Sequence, residues 1–98
     1  MAYAVIRHYK ASAELIDELG RRSGEVENLI RGVSGFQNYY LVRSDDGGFS
    51  VSVFEDRAGA EESVTAARQY IQDNVANLAG EPPEVIQGEV TISFTGQG

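Results

Sequence analysis

Residues 35–56 constrain the fold of this 98-residue chain more than any other stretch. Two runs rich in β-branched and aromatic residues flank the segment Ser44–Gly48, which reads Ser-Asp-Asp-Gly-Gly. Asp-Gly and Gly-Gly pairs supply the positive φ angles that tight hairpin turns need. The stretch therefore predicts a β-hairpin. Alternation along its two strands groups the side chains by face: Phe36, Asn38, Tyr40 and Val42 on the first strand, and Phe49, Val51 and Val53 on the second.

A strand and a helix are predicted before the hairpin. Residues 2–9 have the aromatic and branched content of a strand. Its two faces carry Tyr3, Val5, Arg7 and Tyr9 on one side, and Ala4, Ile6 and His8 on the other. From Ala13 the apolar residues recur every three or four positions, which indicates an amphipathic helix with Ser12 as its N-cap. Gly20 and Gly24 interrupt this helix and predict a bend or a break.

A helix and a strand are predicted after the hairpin. Asp56 is placed to cap a helix whose apolar stripe is Ala60, Val64, Ala67, Ile71, Val75 and Leu78. The segment Gly80–Pro83 ends that helix, because two prolines enforce an extended connection. The last strand is predicted over residues 85–94, with Val90, Ile92 and Phe94 on one face.

The resulting order is β-α-β-β-α-β over one domain, residues 1–98. Two right-handed crossovers then produce a ferredoxin-like α+β plait, a four-stranded antiparallel sheet with both helices on one face. Every strand carries bulky apolar residues on both faces, yet the helices cover only one. Because a monomer would expose the second face as an apolar patch, the sequence predicts a twofold homodimer.

Composition excludes several classes of function. The net charge is −7, and residues 50–98 carry two basic against eight acidic side chains, which argues against nucleic-acid binding. No apolar run approaches the roughly 18 residues that cross a bilayer, so no membrane association is expected. The chain has no cysteine, which excludes disulfides and thiolate metal sites and makes a cytoplasmic location the expectation. No His/Asp/Glu cluster has the spacing of a metal site.

The layout and several local motifs resemble the antibiotic biosynthesis monooxygenase-like group of dimeric α/β-barrel proteins. The motifs are the opening strand at residues 4–10, Gly35-Phe36-x-x-Tyr39-Tyr40, the acidic glycine-rich hairpin, and Phe54-Glu55-Asp56 before the second long helix. The resemblance covers nearly the whole chain. It implies a dimer whose two sheets form a barrel with the helices outside, and pockets between sheet and helices. The group includes cofactor-independent oxygenases of polycyclic phenols and haem-degrading enzymes.

Two departures from this group bear on haem. Phe54 stands where the family often has a tryptophan at the end of strand three, and the chain has no tryptophan. Haem-degrading members place a histidine ligand on the second long helix, whereas residues 60–66 contain none. The resemblance therefore does not imply haem degradation, and no cofactor is expected.

His8 is the only histidine, and its side chain is the first candidate for chemistry. An imidazole titrates near neutral pH and can accept a proton from a phenol. The alternative is a buried or interface histidine satisfied by one hydrogen bond. Arg7 and Arg43 are candidates for steering an acidic ligand, with surface ion pairing as the alternative.

Asn38 and Tyr40 share a strand face and form a second candidate set. With Tyr3, Tyr9 or Tyr70 they could line a pocket for a flat, oxygenated ligand, because amide and phenol groups hold a phenolate by hydrogen bonds. The alternative is that the tyrosines only fill the barrel, with their hydroxyls at its wet edges.

Two functions follow as hypotheses. The first is a cofactor-independent monooxygenase acting on a small aromatic, oxygenated substrate, with His8 accepting a proton and with Asn38 and Tyr40 positioning the oxyanion. The second is a non-catalytic dimeric module that binds a ligand or a partner.

Overall fold

The computed structural model describes residues 1–96 and has eight elements of secondary structure. In chain order they are β1 (Tyr3–Tyr9), α1 (Ala13–Arg21), α2 (Ser23–Arg31), β2 (Phe36–Arg43), β3 (Gly48–Phe54), α3 (Arg57–Asn74), α4 (Ala76–Ala79) and β4 (Glu84–Glu89). The four strands form one antiparallel sheet in the order β2-β3-β1-β4, as a ferredoxin-like plait requires. The predicted fold class is confirmed. Within residues 1–96, no helix combines the length and the apolar character needed to cross a bilayer.

The helices pack on one face of the sheet, called here the helix face. Its strand residues include Val5, Arg7 and Tyr9 of β1 and Ser50, Ser52 and Phe54 of β3. Leu15, Ile16 and Leu19 of α1 and Val26 and Ile30 of α2 complete the core over this face. The opposite face, called the open face, carries Ala4, Ile6 and His8 of β1, Asn38, Tyr40 and Val42 of β2, Phe49, Val51 and Val53 of β3, and Ile86 of β4.

Except for Phe54 at its end, strand β3 turns small residues toward the helices and large apolar residues away from them. Ser50 and Ser52 are almost fully buried, whereas Phe49, Val51 and Val53 on the open face remain half-exposed. Small side chains let the helices approach closely: a Cβ added to Gly48 would lie 2.8 Å from Cγ1 of Ile16. The most apolar surface of this strand is therefore the surface that its own helices leave uncovered.

The predicted hairpin between β2 and β3 is confirmed, but its glycines are needed for space rather than for positive φ angles. Its turn is closed by the amide of Ser44, which donates to the carbonyl of Gly47 at 3.0 Å. Among residues 1–96, only Gly35 and Gly80 have positive φ angles, so Gly47 and Gly48 do not supply the left-handed conformation predicted for this turn. Glycine is required at position 47 because a Cβ there would overlap the carbonyl oxygen of Tyr9 and lie 2.7 Å from that of Lys10.

A bulge at the start of β2 changes which face its first residue occupies. Phe36 pairs with Phe54, but Asn38 pairs with Val53, so one extra residue opposes a single step of β3. Phe36 consequently lies on the helix face, its ring centroid 6.1 Å from that of Phe54 in an edge-to-face arrangement. The prediction that Phe36 shares a face with Asn38 and Tyr40 is wrong, because strict alternation cannot register a bulge.

Of three predictions about the helix termini, two are confirmed and one is incorrect. The chain breaks between α1 and α2 at Arg22, between Gly20 and Gly24, as predicted. Ser12 precedes α1 but caps nothing, since its hydroxyl donates to the carbonyl of Ala79 at 3.4 Å. Asp56 does cap α3: its carboxylate accepts from the amide of Gly59 at 3.1 Å.

The last strand is shorter than predicted. It ends at Glu89, which pairs with Tyr3, and the amide of Val90 then donates to the carbonyl of Ala2. Residues 91–96 are outside the sheet, and the side chains of Ile92 and Phe94 are 78% and 88% exposed.

The Asp56 cap is testable by substitution. We expect Asp56→Ala to lower the free energy of unfolding by about 1 kcal/mol, because the amide of Gly59 loses its acceptor at the start of the longest helix. Asp56→Asn keeps a side-chain oxygen and should retain most of that stability. Urea titrations of the three proteins at one protein concentration measure the difference, and equal losses in both variants would contradict the capping role.

Candidate functional site

A cavity of about 310 Å³ opens between α3, the Gly80–Pro83 turn and the ends of β1 and β4. It is called here the Arg7 cavity. Apolar side chains form most of its wall, and one charged group lies at its base: the lining includes Arg7, Tyr9, Val64, Arg68, Ile71 and Val85. Its volume falls at the lower end of the range of about 300–1,000 Å³ that is usual for small-ligand pockets.

Two further spaces lie under the helices beside the Arg7 cavity. An inner void of about 20 Å³ shares Arg7 and Tyr9 with the Arg7 cavity and is also lined by Ser50 and Tyr70. A second cavity, of about 350 Å³, lies between α1, α2 and β2 and shares Tyr39 with the inner void. Sheet and helices therefore enclose a row of spaces, and the inner void is large enough for about one water molecule.

Arg7 is the least satisfied side chain of this region. It is 4% exposed, and its Nε and Nη1 atoms are buried without a hydrogen-bond partner in the part of the chain that the structure describes. The hydroxyl oxygen of Ser50, directly across from Arg7 in the β1–β3 ladder, is buried and unpartnered in the same way. Buried polar groups normally carry hydrogen bonds. Two neighbouring groups without partners therefore indicate a position at which a bound molecule would find hydrogen-bonding groups.

Three tyrosines line the inner void, each in a different environment. Burial raises the pKa of the Tyr39 phenol above its ordinary value, and the nearby charge of Arg7 opposes part of that rise. Tyr9 is 4% exposed. The hydroxyl of Tyr70 donates to Oε1 of Glu25 at 2.6 Å, and both burial and this bond raise its pKa. Tyr9 and Tyr70 were predicted as pocket residues; Tyr39 was not.

His8, Asn38 and Tyr40 lie on the open face, on the other side of the sheet from the Arg7 cavity. Asn38 and Tyr40 are neighbours on the same face of β2, but His8 is not close to either of them. Tyr40 is level with Ile6, across the intervening strand β3. With strands about 4.8 Å apart and a rise of about 3.3 Å per residue, the Cα atoms of His8 and Tyr40 are on the order of 12 Å apart, and Asn38 is farther still.

The immediate neighbour of His8 is a carboxylate at the sheet edge. Its Nδ1 lies 3.8 Å from Oε1 of Glu84, and the ammonium of Lys10 lies 3.9 Å from the same oxygen. The His8 side chain is 40% exposed. His8 also lines a space of about 510 Å³ beside the Gly80–Pro83 turn, and the charged side chains of Lys10, Glu81 and Glu84 share that lining.

The two arginines singled out from the sequence have opposite environments. Arg43 pairs with Asp17 at 3.0 Å on the surface, which is the ion-pair alternative. Arg7 lies in the core and forms no ion pair with any of residues 1–96. The sequence did contain a signal for this: Arg7 is the one charged residue on a strand face whose other members are Tyr3, Val5 and Tyr9.

Phe54, at the position where the resemblance leads one to expect tryptophan, is fully buried in the core against Phe36. It contributes to neither the Arg7 cavity nor the inner void. In the part of the chain covered by the structure, no three His, Cys, Asp or Glu side chains converge as a metal site would require.

No protein-family model matches the chain, and no curated protein matches its sequence. Solved structures do match its fold. A protein of unknown function from Nitrosomonas europaea superposes with a TM-score of 0.72 at 18% identity, covering 99% of this chain and 95% of the other. The haem degrader MhuD of Mycobacterium tuberculosis, solved with two haems in its active site, has a TM-score of 0.68 at 16% identity over 95% and 99% of the two chains.

A third match is the monooxygenase ActVA-Orf6 of Streptomyces coelicolor, solved with the ligand nanaomycin D. It has a TM-score of 0.64 at 18% identity, covering 98% of this chain and 92% of that one. At such identities the likeness concerns the fold. Together with the β2-β3-β1-β4 sheet, these matches confirm the fold that the resemblance implied: the chain shares the fold of the monooxygenase ActVA-Orf6 and of the haem degrader MhuD.

Proposed function

We propose that this protein binds a small aromatic, oxygenated molecule between its sheet and helices and oxidises it as a cofactor-independent monooxygenase. The observation that carries the proposal is the pair of buried, unpartnered groups on Arg7 and Ser50 beside an apolar cavity. Apolar walls with a few convergent polar groups are the usual make-up of a small-molecule site. The fold shared with the monooxygenase ActVA-Orf6 supports the choice of reaction.

Arg7 would favour the reactive form of such a substrate. A guanidinium next to a phenol stabilises the phenolate and lowers its pKa, and the phenolate is the electron-rich form that reacts with oxygen. In the overall reaction a phenol O–H and the ring C–H opposite it react with O2: one oxygen atom becomes the new quinone carbonyl, and the other leaves as water with the two hydrogens. The substrate supplies all the electrons, so the balance needs no external reductant.

We further propose that the protein works as a homodimer through its open face. Tyr40 and Ile86 on this face are 61% and 56% exposed, and the residues between them are Ile6, Val51 and their apolar neighbours. A second copy packed against this surface would bury it and close the two sheets into a barrel. Ile92 and Phe94, beyond the end of β4, add further exposed apolar surface.

The roles predicted for His8, Asn38 and Tyr40 stay predictions. Asn38 and Tyr40 are neighbours on one face of β2, whereas His8 lies two strands away from them. The cytoplasmic location expected from the sequence also stays a prediction.

The proposal is tested by turnover in air with a cavity-blocking variant. Val85 lies directly across from Arg7 in the β1–β4 ladder and lines the Arg7 cavity. We expect the wild type to incorporate one 18O atom from 18O2 into a dihydroxynaphthalene. Val85→Trp should lose most of this activity because the indole fills the cavity. Gln87→Trp, on the same strand face but outside the cavity, is the matched control.

Mass spectrometry of the quinone product measures the result. Label incorporation that Val85→Trp does not reduce would place the reaction elsewhere. Saturable binding without any incorporation would support the alternative, a non-catalytic ligand-binding module, because the cavity then takes a ligand without acting on it.

A further inference from the structure

The basic side chains of this acidic protein are almost all paired with carboxylates. The chain has eight Lys and Arg residues, and six of them form ion pairs: Lys10, Arg21, Arg22, Arg31, Arg43 and Arg57. Within residues 1–96, only Arg7 and Arg68 do not. Both line the Arg7 cavity, Arg7 from β1 at its base and Arg68 from the exposed surface of α3.

The burial of Arg7 makes the absence of an opposite charge beside it significant, although its guanidinium also approaches the Tyr39 phenol. An ionised group removed from water is unfavourable unless an opposite charge and hydrogen bonds compensate it. One water in the inner void could satisfy a hydrogen bond of the guanidinium but would not balance its charge. Glu81 lines the same cavity at the Gly80–Pro83 turn, and it forms no ion pair with either arginine.

The rest of the cavity wall is suited to an apolar body. Val64 and Ile71 of α3 face Val85 of β4 across the space, and Pro82 and Pro83 close its side. A ligand that fills this space therefore has a flat hydrocarbon part and an anionic end. A carboxylate matches a guanidinium especially well, because its two oxygens accept parallel hydrogen bonds from Nε and one Nη atom.

We propose that the Arg7 cavity is a binding site for an aromatic carboxylic acid, with the carboxylate on Arg7, the ring between α3 and β4, and Arg68 attracting the anion at the mouth. The inference rests on the proposed function for the aromatic character of the ligand. It adds the acidic group that the ligand carries.

The test compares an acid with its neutral isostere. Titration calorimetry of the full-length protein with 1-naphthoate and with 1-naphthamide separates charge from shape, because the two molecules differ only in the carboxylate. We expect 1-naphthoate to bind the wild type roughly 10- to 100-fold more tightly than the amide, the range expected for hydrogen bonds to a charged group. Arg7→Met should remove that preference.

Three further variants keep the test valid if Arg7→Met folds poorly. Arg68 is exposed, so Arg68→Met leaves the core intact; it should weaken 1-naphthoate binding several-fold and leave 1-naphthamide unchanged. Arg43→Met removes an arginine of the same type that is paired to Asp17 away from the cavity, and it should change neither affinity. Glu81→Gln should tighten 1-naphthoate binding, because it removes a carboxylate that repels the ligand.

A thermal melt distinguishes a ligand-binding arginine from a structural one. Because Arg7 makes no ion pair or hydrogen bond through Nε and Nη1, Arg7→Met should melt at or above the wild-type temperature while losing the acid. The proposal would be overturned if the melting temperature of Arg7→Met falls strongly and Arg68→Met keeps the wild-type preference for 1-naphthoate.

The outcomes also separate this inference from the proposed function. Equal affinity for acid and amide, or no binding of 1-naphthoate, overturns the carboxylate site, and oxygen incorporation into a neutral dihydroxynaphthalene could still occur. Conversely, strong binding of 1-naphthoate that depends on Arg7, with no 18O in any product, supports the carboxylate site and contradicts the proposed oxygenase activity.

Discussion

Replacing Phe54 with alanine is expected to lower the free energy of unfolding by about 3–5 kcal/mol. The ring is fully buried, meets Phe36 edge-on, and lies at the junction of β3 with the loop that leads into α3. Its removal leaves a cavity that the backbone cannot close, because the backbone of Gly59 already packs against Phe54. A Cβ added at Gly59 would lie only 3.2 Å from the Cβ of Phe54. A domain of this size has a total stability of about 5–15 kcal/mol, so the loss would be a large share of it.

Phe54→Leu is the matched control for this prediction. It retains most of the buried volume and should lose less stability than the alanine variant. Urea unfolding at one fixed protein concentration compares the three proteins, since the stability of a dimer depends on concentration. If alanine and leucine cost the same, the effect would not come from cavity formation, and the assignment of Phe54 to the core rather than to a ligand site would lose its support.

Replacing Val51 with lysine is expected to convert the protein to a monomer. Val51 lies at the centre of the open face, level with Ile6 on one side and Tyr40 on the other. An ammonium group at the centre of an apolar interface has no partner there, and burying an unpaired charge costs several kcal/mol. Analytical ultracentrifugation over a range of concentrations should show a dimer for the wild type and a monomer for the variant.

Thr65→Lys is the control for that experiment, since Thr65 is an exposed residue on the outer surface of α3. It adds the same charge to the same protein and should leave the dimer intact. A wild type that sediments as a monomer at micromolar concentration would contradict the open-face dimer directly, and so would a Val51→Lys variant that remains dimeric.

The order of elements and the fold class were predictable because they depend on local patterns. The change from period two to period three or four marks the passage from β1 to α1, and Asp56 marks the start of α3 by a contact within four residues. The glycines at 20 and 24 marked the break at Arg22 for the same reason. Each of these signals involves residues that are neighbours in the chain, so no knowledge of packing is needed to read them.

The errors all occurred where distant segments meet. Ser12 looks like a cap in its own sequence context, but its hydroxyl reaches the carbonyl of Ala79. Gly47 is needed because of the approach of Tyr9 and Lys10. The predicted last strand was too long because its pairing with β1 stops at Tyr3, the first residue of β1. A bulge between Phe36 and Asn38 moved Phe36 to the other face, and alternation alone could not register it.

The sequence by itself determined that this chain folds as a ferredoxin-like plait and that both faces of its sheet carry apolar residues, because periodicity and apolar content are properties of single strands and helices. Only the tertiary structure decided which face the helices occupy. That choice depends on how closely α1 can approach Gly48 and Ser50, which is a matter of packing between segments far apart in the chain. Because the helices cover this face, Arg7 is buried under them and His8 lies on the open face. The candidate site is therefore centred on a buried arginine rather than on the single histidine.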